Sequence, residues 1–85
     1  MIPRIKELQP IENFKLLVTF DDARVVEYNV LDDINTIPDF QDLVNDPNLF
    51  QQVQLDESRT CVYWNDRIDL SSDSIYEYGK IARVF

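Results

Sequence analysis

Histidine is absent from this 85-residue chain. That removes Ser–His and Cys–His nucleophilic catalysis, most zinc sites and the commonest general base at neutral pH. One glycine cannot build a phosphate-cradling loop. One cysteine, Cys61, can neither close an intramolecular disulfide nor pair with a second thiol for metal or redox work. Cys61 stands between Thr60 and Val62 in a β-branched run, so a buried free thiol in a reducing compartment is expected. No apolar stretch approaches the roughly 20 residues that span a bilayer. The opening "MIPRIKELQP" also lacks the apolar core of a signal peptide. The expectation is a soluble cytoplasmic protein with no membrane partner.

Basic residues are missing from a long central span. Between Val25 and Ser58 there is no lysine or arginine, while Glu27, Asp32, Asp33, Asp39, Asp42, Asp46, Asp56 and Glu57 contribute −8. The whole chain is also −8, so the remaining residues balance. One acidic face is expected, which reads either as a solubilising surface or as a docking face for a small basic protein. Direct binding to nucleic acid is disfavoured, because phosphate affinity comes from clustered Lys and Arg.

With 45% hydrophobic and 12% aromatic residues the chain can bury one modest core, which argues against disorder and for a single domain over residues 1–85. "PRIKEL" (3–8) reads as a strand ended by Pro10. "NFKLLVTF" (13–20) alternates Phe14, Leu16, Val18 and Phe20 against Lys15 and Thr19, and "RVVEYNV" (24–30) places Val26, Tyr28 and Val30 on one face. The short "DDA" (21–23) between them predicts a hairpin, with Asp22 taking the positive φ that glycine would usually supply. "LDDINTIPD" (31–39) reads as a loop.

Two short helices, or one bent helical segment, follow. Phe40, Leu43 and Val44 face inward after an Asp39 cap. Leu49, Phe50 and Val53 face inward after an Asp46 cap, with Pro47 at the first helical position. "VQLD" (53–56), "RTCVYW" (59–64) and "RIDL" (67–70) read as strands joined by tight turns. "SSDSIYEYGK" (71–80) reads as a helix capped by Ser71 or Ser72 and closed by Gly79. "IARVF" (81–85) fits a strand, a helical continuation or an interface element. The order β-β-β-α-β-β-β-α defines an α+β domain, a small mainly antiparallel sheet with short helices packed on it.

Carboxylates are the plentiful reactive groups. Asp32 and Asp33 lie beside no other fixed oxygen set, and no calcium-loop pattern occurs. Asp66 and Asp69 bracket a tight turn, where aspartate serves local hydrogen bonding. Lys6 and Lys80 stand in no apolar run that would depress their pKa. No catalytic residue, cofactor or metal ligand is assigned. "CVYWNDRIDL" (61–70) crowds rare residues together and reads as a hairpin, with Cys61 and one of its neighbours inward and Trp64 closing the core edge. Tyr63, Tyr76 and Tyr78 are candidates to gather near Trp64 as a partner anchor. The candidate partner-binding residues are Trp64, Asp66, Asp69, Tyr76, Asp32, Asp33 and Asp42.

Three stretches resemble a bacterial domain-of-unknown-function family, number 2442. "PRIKELQPIENFKLLVTFDDARVVEYNV" is similar to its opening strands. "DFQDLVNDPNLFQQVQLDE" is similar to its middle helical segment, where an Asp-Pro pair precedes a Leu-Phe pair. "VYWNDRIDLSSDSIYE" resembles its C-terminal signature through Trp64, Asp69, Ile75 and Tyr76. Where many relatives carry a Pro-Asn-Gly-like turn, this chain has Asn65-Asp66-Arg67. The resemblance implies an α+β fold, no established activity and no catalytic residue to carry over. Some relatives continue into a helix-turn-helix region, and some are encoded beside a second small protein, which has suggested toxin–antitoxin-like pairs. A chain ending at Phe85 would then be the partner-binding half alone. The expected function is a non-enzymatic protein-interaction module, the acidic member of such a pair. The rivals are a transcription-related regulator acting through a partner and a small-molecule or metal-binding domain. Self-association through an edge strand or the tail is a further expectation.

Overall fold

Period-two alternation of apolar residues lays down the strands: β1 (Ile5–Ile11), β2 (Lys15–Phe20), β3 (Val25–Asn29), β4 (Gln54–Leu55), β5 (Cys61–Asn65), β6 (Ile68–Ser71) and β7 (Lys80–Arg83). The computed structural model describes residues 3–46 and 48–83. Its strands form two antiparallel sheets, of order β1-β2-β3-β7 and β4-β5-β6. The α+β class is the one expected, and the order of elements is roughly so. The structure adds the division into two sheets, and of the alternatives for the tail it takes the strand, with β7 covering the start of it. Val84 and Phe85 lie outside the described residues.

The two sheets and the helices share one core. Leu16, Val18 and Phe20 of β2 and Val26 and Tyr28 of β3 join Val62 and Trp64 of β5, Ile68 and Leu70 of β6, and Ile34, Phe40, Leu43, Phe50 and Ile75 from the helical parts. Each large aliphatic or aromatic side chain withdrawn here contributes about 1.5–3 kcal/mol. In "CVYWN", Val62 and Trp64 are buried while Cys61 and Tyr63 are half-buried on the other face, so Cys61 is not inward as expected.

Pro10 does not end β1. It sits within the strand opposite Leu16. An edge strand tolerates the missing N–H on its open side. The β2–β3 turn departs from expectation too. Ala23, not Asp22, carries the positive φ, at 72°, while the Asp22 carboxylate accepts the Arg24 N–H at 2.9 Å. This is a three-residue hairpin loop whose last residue is left-handed.

Residues 31–39 are not a loop. Leu31–Thr36 form α1, with Ile34 buried and the Asn29 carboxamide oxygen accepting the Leu31 N–H at 3.0 Å. A tighter three-ten turn, Pro38–Gln41, then runs into α2 (Asp42–Asn45). Asp39 lies inside that turn, and Ile37 occupies the cap position without a side-chain bond. Phe40 and Leu43 are buried as expected, but Val44 is 46% exposed. Among the described residues of 46–53 there is no second α-helix. Asp46 accepts the Asn48 N–H at 3.1 Å, and only Phe50–Gln52 winds, as a three-ten turn. The expected helical role of Pro47 lies outside the described residues.

α3 (Ser72–Tyr78) starts where Ser71 Oγ accepts the Ser74 N–H at 3.2 Å. Gly79 closes it by donating its N–H to the Ile75 carbonyl at 2.9 Å. Its φ is −73°, so glycine is required here for space and not for a left-handed backbone. A Cβ would collide with Val26 Cγ1 and stand 2.5 Å from the Ile75 oxygen. No helix among the described residues is long and apolar enough to cross a membrane.

Candidate partner-binding surface

Trp64 is a core residue. It is 5% exposed, lies over Phe50 with ring centroids 5.9 Å apart and meets Phe40 at 6.1 Å. Its indole N–H donates to the Phe50 carbonyl at 3.1 Å. Trp64 thereby joins the small sheet to the helical segment, and its polar atom is used in doing so. The tyrosines do not gather around it. Tyr63 reaches Gln54 on the neighbouring strand, and Tyr78 is 75% exposed at the end of α3. Tyr76 sets its ring edge-on to Phe20 at 5.0 Å, lies under the Arg24 guanidinium at 4.5 Å and donates its hydroxyl to Asp22 at 3.1 Å. Burial, then the bond to Asp22, pushes the Tyr76 hydroxyl pKa up.

The seven candidate residues therefore do not form one constellation. Asp66 is exposed in the β5–β6 turn, where Asn65 Oδ1 does the local capping by accepting the Arg67 and Ile68 N–H groups at 2.9 and 3.1 Å. Asp69 is exposed on β6 opposite Tyr63. Its charge, after burial, helps raise the Cys61 thiol pKa, which makes Cys61 a poor nucleophile at neutral pH.

Asp32, Asp33 and Asp42 do share a segment. α1, the three-ten turn and α2 carry Asp32, Asp33, Asp39 and Asp42, and Asp46 follows directly. Besides Asp46, which accepts the Asn48 N–H, two of these acids are engaged by side chains. The Tyr28 hydroxyl donates to Asp33 Oδ2 at 2.6 Å, and Arg67 Nη2 reaches Asp42 Oδ2 at 3.2 Å. Burial, then the bond to Asp33, drives the Tyr28 hydroxyl far above its ordinary value, so it stays a proton donor. Asp32, Asp39 and Asp46 are exposed and form no ion pair among the described residues. Beside them in the chain, Ile37 and Val44 are 39% and 46% exposed. The remaining acids of the base-free span lie elsewhere. Glu27 is on the large sheet, 4.0 Å from Lys15. Asp56 and Glu57 form the β4–β5 turn. There Asp56 accepts from Ser58 Oγ at 2.8 Å and from the Thr60 and Cys61 N–H groups, and the Ser58 bond leads in lowering its pKa.

Sequence reasoning missed Tyr28, Arg67, Ile37 and Val44. Only Tyr28 left a signal, a tyrosine four residues before an Asp pair. No group of three His, Cys, Asp or Glu residues among those described is placed to hold a metal ion.

The fold and this surface define a small α+β domain with an acidic, partly apolar helical layer over a two-sheet core. Residues 5–80 match the model of the family described as protein of unknown function (DUF2442), and the chain belongs to that family. No curated protein matches it, and no solved structure matches it.

Proposed function

We propose that this protein is a non-enzymatic interaction module that docks a small basic protein on its helical layer, as the acidic member of a toxin–antitoxin-like pair. One observation carries the reading: Asp32, Asp39 and Asp46 are exposed without ion-pair partners among the described residues, next to the exposed apolar Ile37 and Val44. Unpaired surface charge speeds encounter with an oppositely charged partner, and apolar side chains between the charges supply area to bury. Neighbouring Asp33 and Asp42 are held by Tyr28 and Arg67 and so shape the surface more than they offer charge.

The test is capture from the native host at low and high salt, using the wild-type chain and Asp32→Asn/Asp39→Asn/Asp46→Asn. A basic protein retained by wild type at low salt, released by high salt and lost with the triple variant is the expected result. A partner held equally by both chains, or none at all, overturns it. A transcription-related role would then run through that partner.

A further inference from the structure

A cleft of about 510 Å³ opens where β3 passes into α1 and α3 into β7. Asp32 and Asp33 reach it from the first turn of α1. Tyr78, the last residue of α3, and Lys80, the first of β7, line it as well.

Charge in this cleft is unbalanced by one. Its two lysines surround Glu27. Lys15 stands 4.0 Å from that carboxylate, and Lys80 lies opposite Glu27 in the sheet register. With Asp32 and Asp33 the lining holds three carboxylates against two lysines. Asp32 is exposed and forms no ion pair among the described residues. Asp33 is held in place. Its Oδ2 accepts the hydroxyl of the buried Tyr28 at 2.6 Å, and its other oxygen takes no hydrogen bond among the described residues. One added cation would neutralise the cleft, whereas an anion would deepen the imbalance.

Tyr78 narrows the kind of cation. Its ring is 75% exposed and meets no aromatic or cationic partner among the described residues, whereas the ring of Tyr76 is already covered by Arg24. A bare aromatic face beside carboxylates suits a planar cation, which stacks on the ring while its N–H groups reach the oxygens. A metal ion is not suited, because no three acids among the described residues are placed to hold one.

We infer that this cleft anchors an arginine side chain of the basic partner, with the guanidinium stacked on Tyr78 and hydrogen-bonded to Asp32 and Asp33. What carries the arginine rests on the docking reading above; the fit of a guanidinium to the cleft does not. The docking surface then runs from the helical layer past α1 to the end of α3. Arginine and tyrosine are the residues that most often concentrate binding energy at such a contact.

Titration of the isotope-labelled full chain with N-acetyl-arginine amide, followed through its amide chemical shifts, tests this. N-acetyl-citrulline amide, of similar shape but uncharged, is the control. Saturable shifts centred on Asp32, Asp33, Tyr78 and Lys80 are expected, with a Kd on the order of 1–10 mM, and the citrulline amide should bind at least about tenfold more weakly. Tyr78→Ala and Asp32→Asn, each checked by an otherwise unchanged spectrum, should each weaken the arginine amide by about two- to fivefold. Shifts that do not saturate, that centre elsewhere or that the citrulline amide reproduces overturn the inference, as does an affinity unchanged in Tyr78→Ala. Capture from the host separates the two readings. A partner retained equally by wild type and Tyr78→Ala removes the cleft and leaves the helical layer standing. Binding of the arginine amide in the cleft with no partner captured removes the docking reading and leaves the guanidinium site standing.

Discussion

Arg59 grips both carboxylate oxygens of Asp21, Nη1 to Oδ1 at 3.0 Å and Nη2 to Oδ2 at 3.1 Å. Its backbone carbonyl accepts the Ile5 N–H at 2.8 Å, and its Nη1 reaches back to the Ile5 carbonyl at 3.4 Å. One residue of the β4–β5 turn thus ties the small sheet to the start of β1 and to the β2–β3 turn. Both partners are 41% exposed, so water screens much of the attraction. Arg59→Lys keeps the charge and loses the two-point grip. It should lower unfolding free energy by about 0.5–1 kcal/mol. A double-mutant cycle with Asp21→Asn checks that the loss belongs to the pair, and added salt should shrink it.

Ala23 holds φ at 72° in the β2–β3 turn, a region that costs a residue with a Cβ about 1–2 kcal/mol. Part of that cost returns through the greater freedom of an unfolded glycine. Ala23→Gly should therefore raise stability by about 0.5–1 kcal/mol. The expected signature is a higher urea midpoint at unchanged slope.

Gly79 is the reverse case. Its φ of −73° suits any residue, but the space beside Val26 and the Ile75 carbonyl is taken. Gly79→Ala must push β7 away from β3 or unwind the end of α3, at a cost of about 1–3 kcal/mol. Amide exchange should quicken at Lys80 and Ile81 before it does in β2.

Tyr28 gives the stability a foot in alkali. Burial, then its bond to Asp33, raises its pKa above the ordinary 10.0. The folded chain keeps a proton that the unfolded chain releases. Stability is therefore intact below pH 10 and falls as pH climbs from there toward the higher folded-state value. Tyr28→Phe should flatten this decline in urea midpoints taken between about pH 8 and 11. At neutral pH it should cost about 1–3 kcal/mol, because Asp33 loses a donor. An unchanged alkaline slope in the variant would sink this assignment.

The sequence disclosed the elements whose order is local. β2 and β3 alternate cleanly, and Ser71 announces α3. α1 stayed hidden because only Leu31 and Ile34 mark its inward side, and its first N–H is met by Asn29, before a Val30 that caps nothing. The division into two sheets was also out of reach. It rests on contacts such as Arg59–Asp21, 38 residues apart, which no periodicity encodes. Of the candidate surface, the run of acids was plain, and the structural reading of Trp64 as a residue closing the core matches its burial. Val44 has helical spacing from Phe40 but is exposed, because a three-ten turn precedes α2 and shifts the residues after it around the axis.

Trp64 is the chain's single indole, carried by one sheet and stacked on rings of the helical segment. Nature has thus installed one fluorophore at the seam between the proposed docking layer and the body that supports it. Its emission can register a shift of Phe40 or Phe50 beneath a bound partner as a change in intensity, and global unfolding as a red shift. Occupancy and stability can then be followed in the same cuvette, without a label, on the unaltered protein.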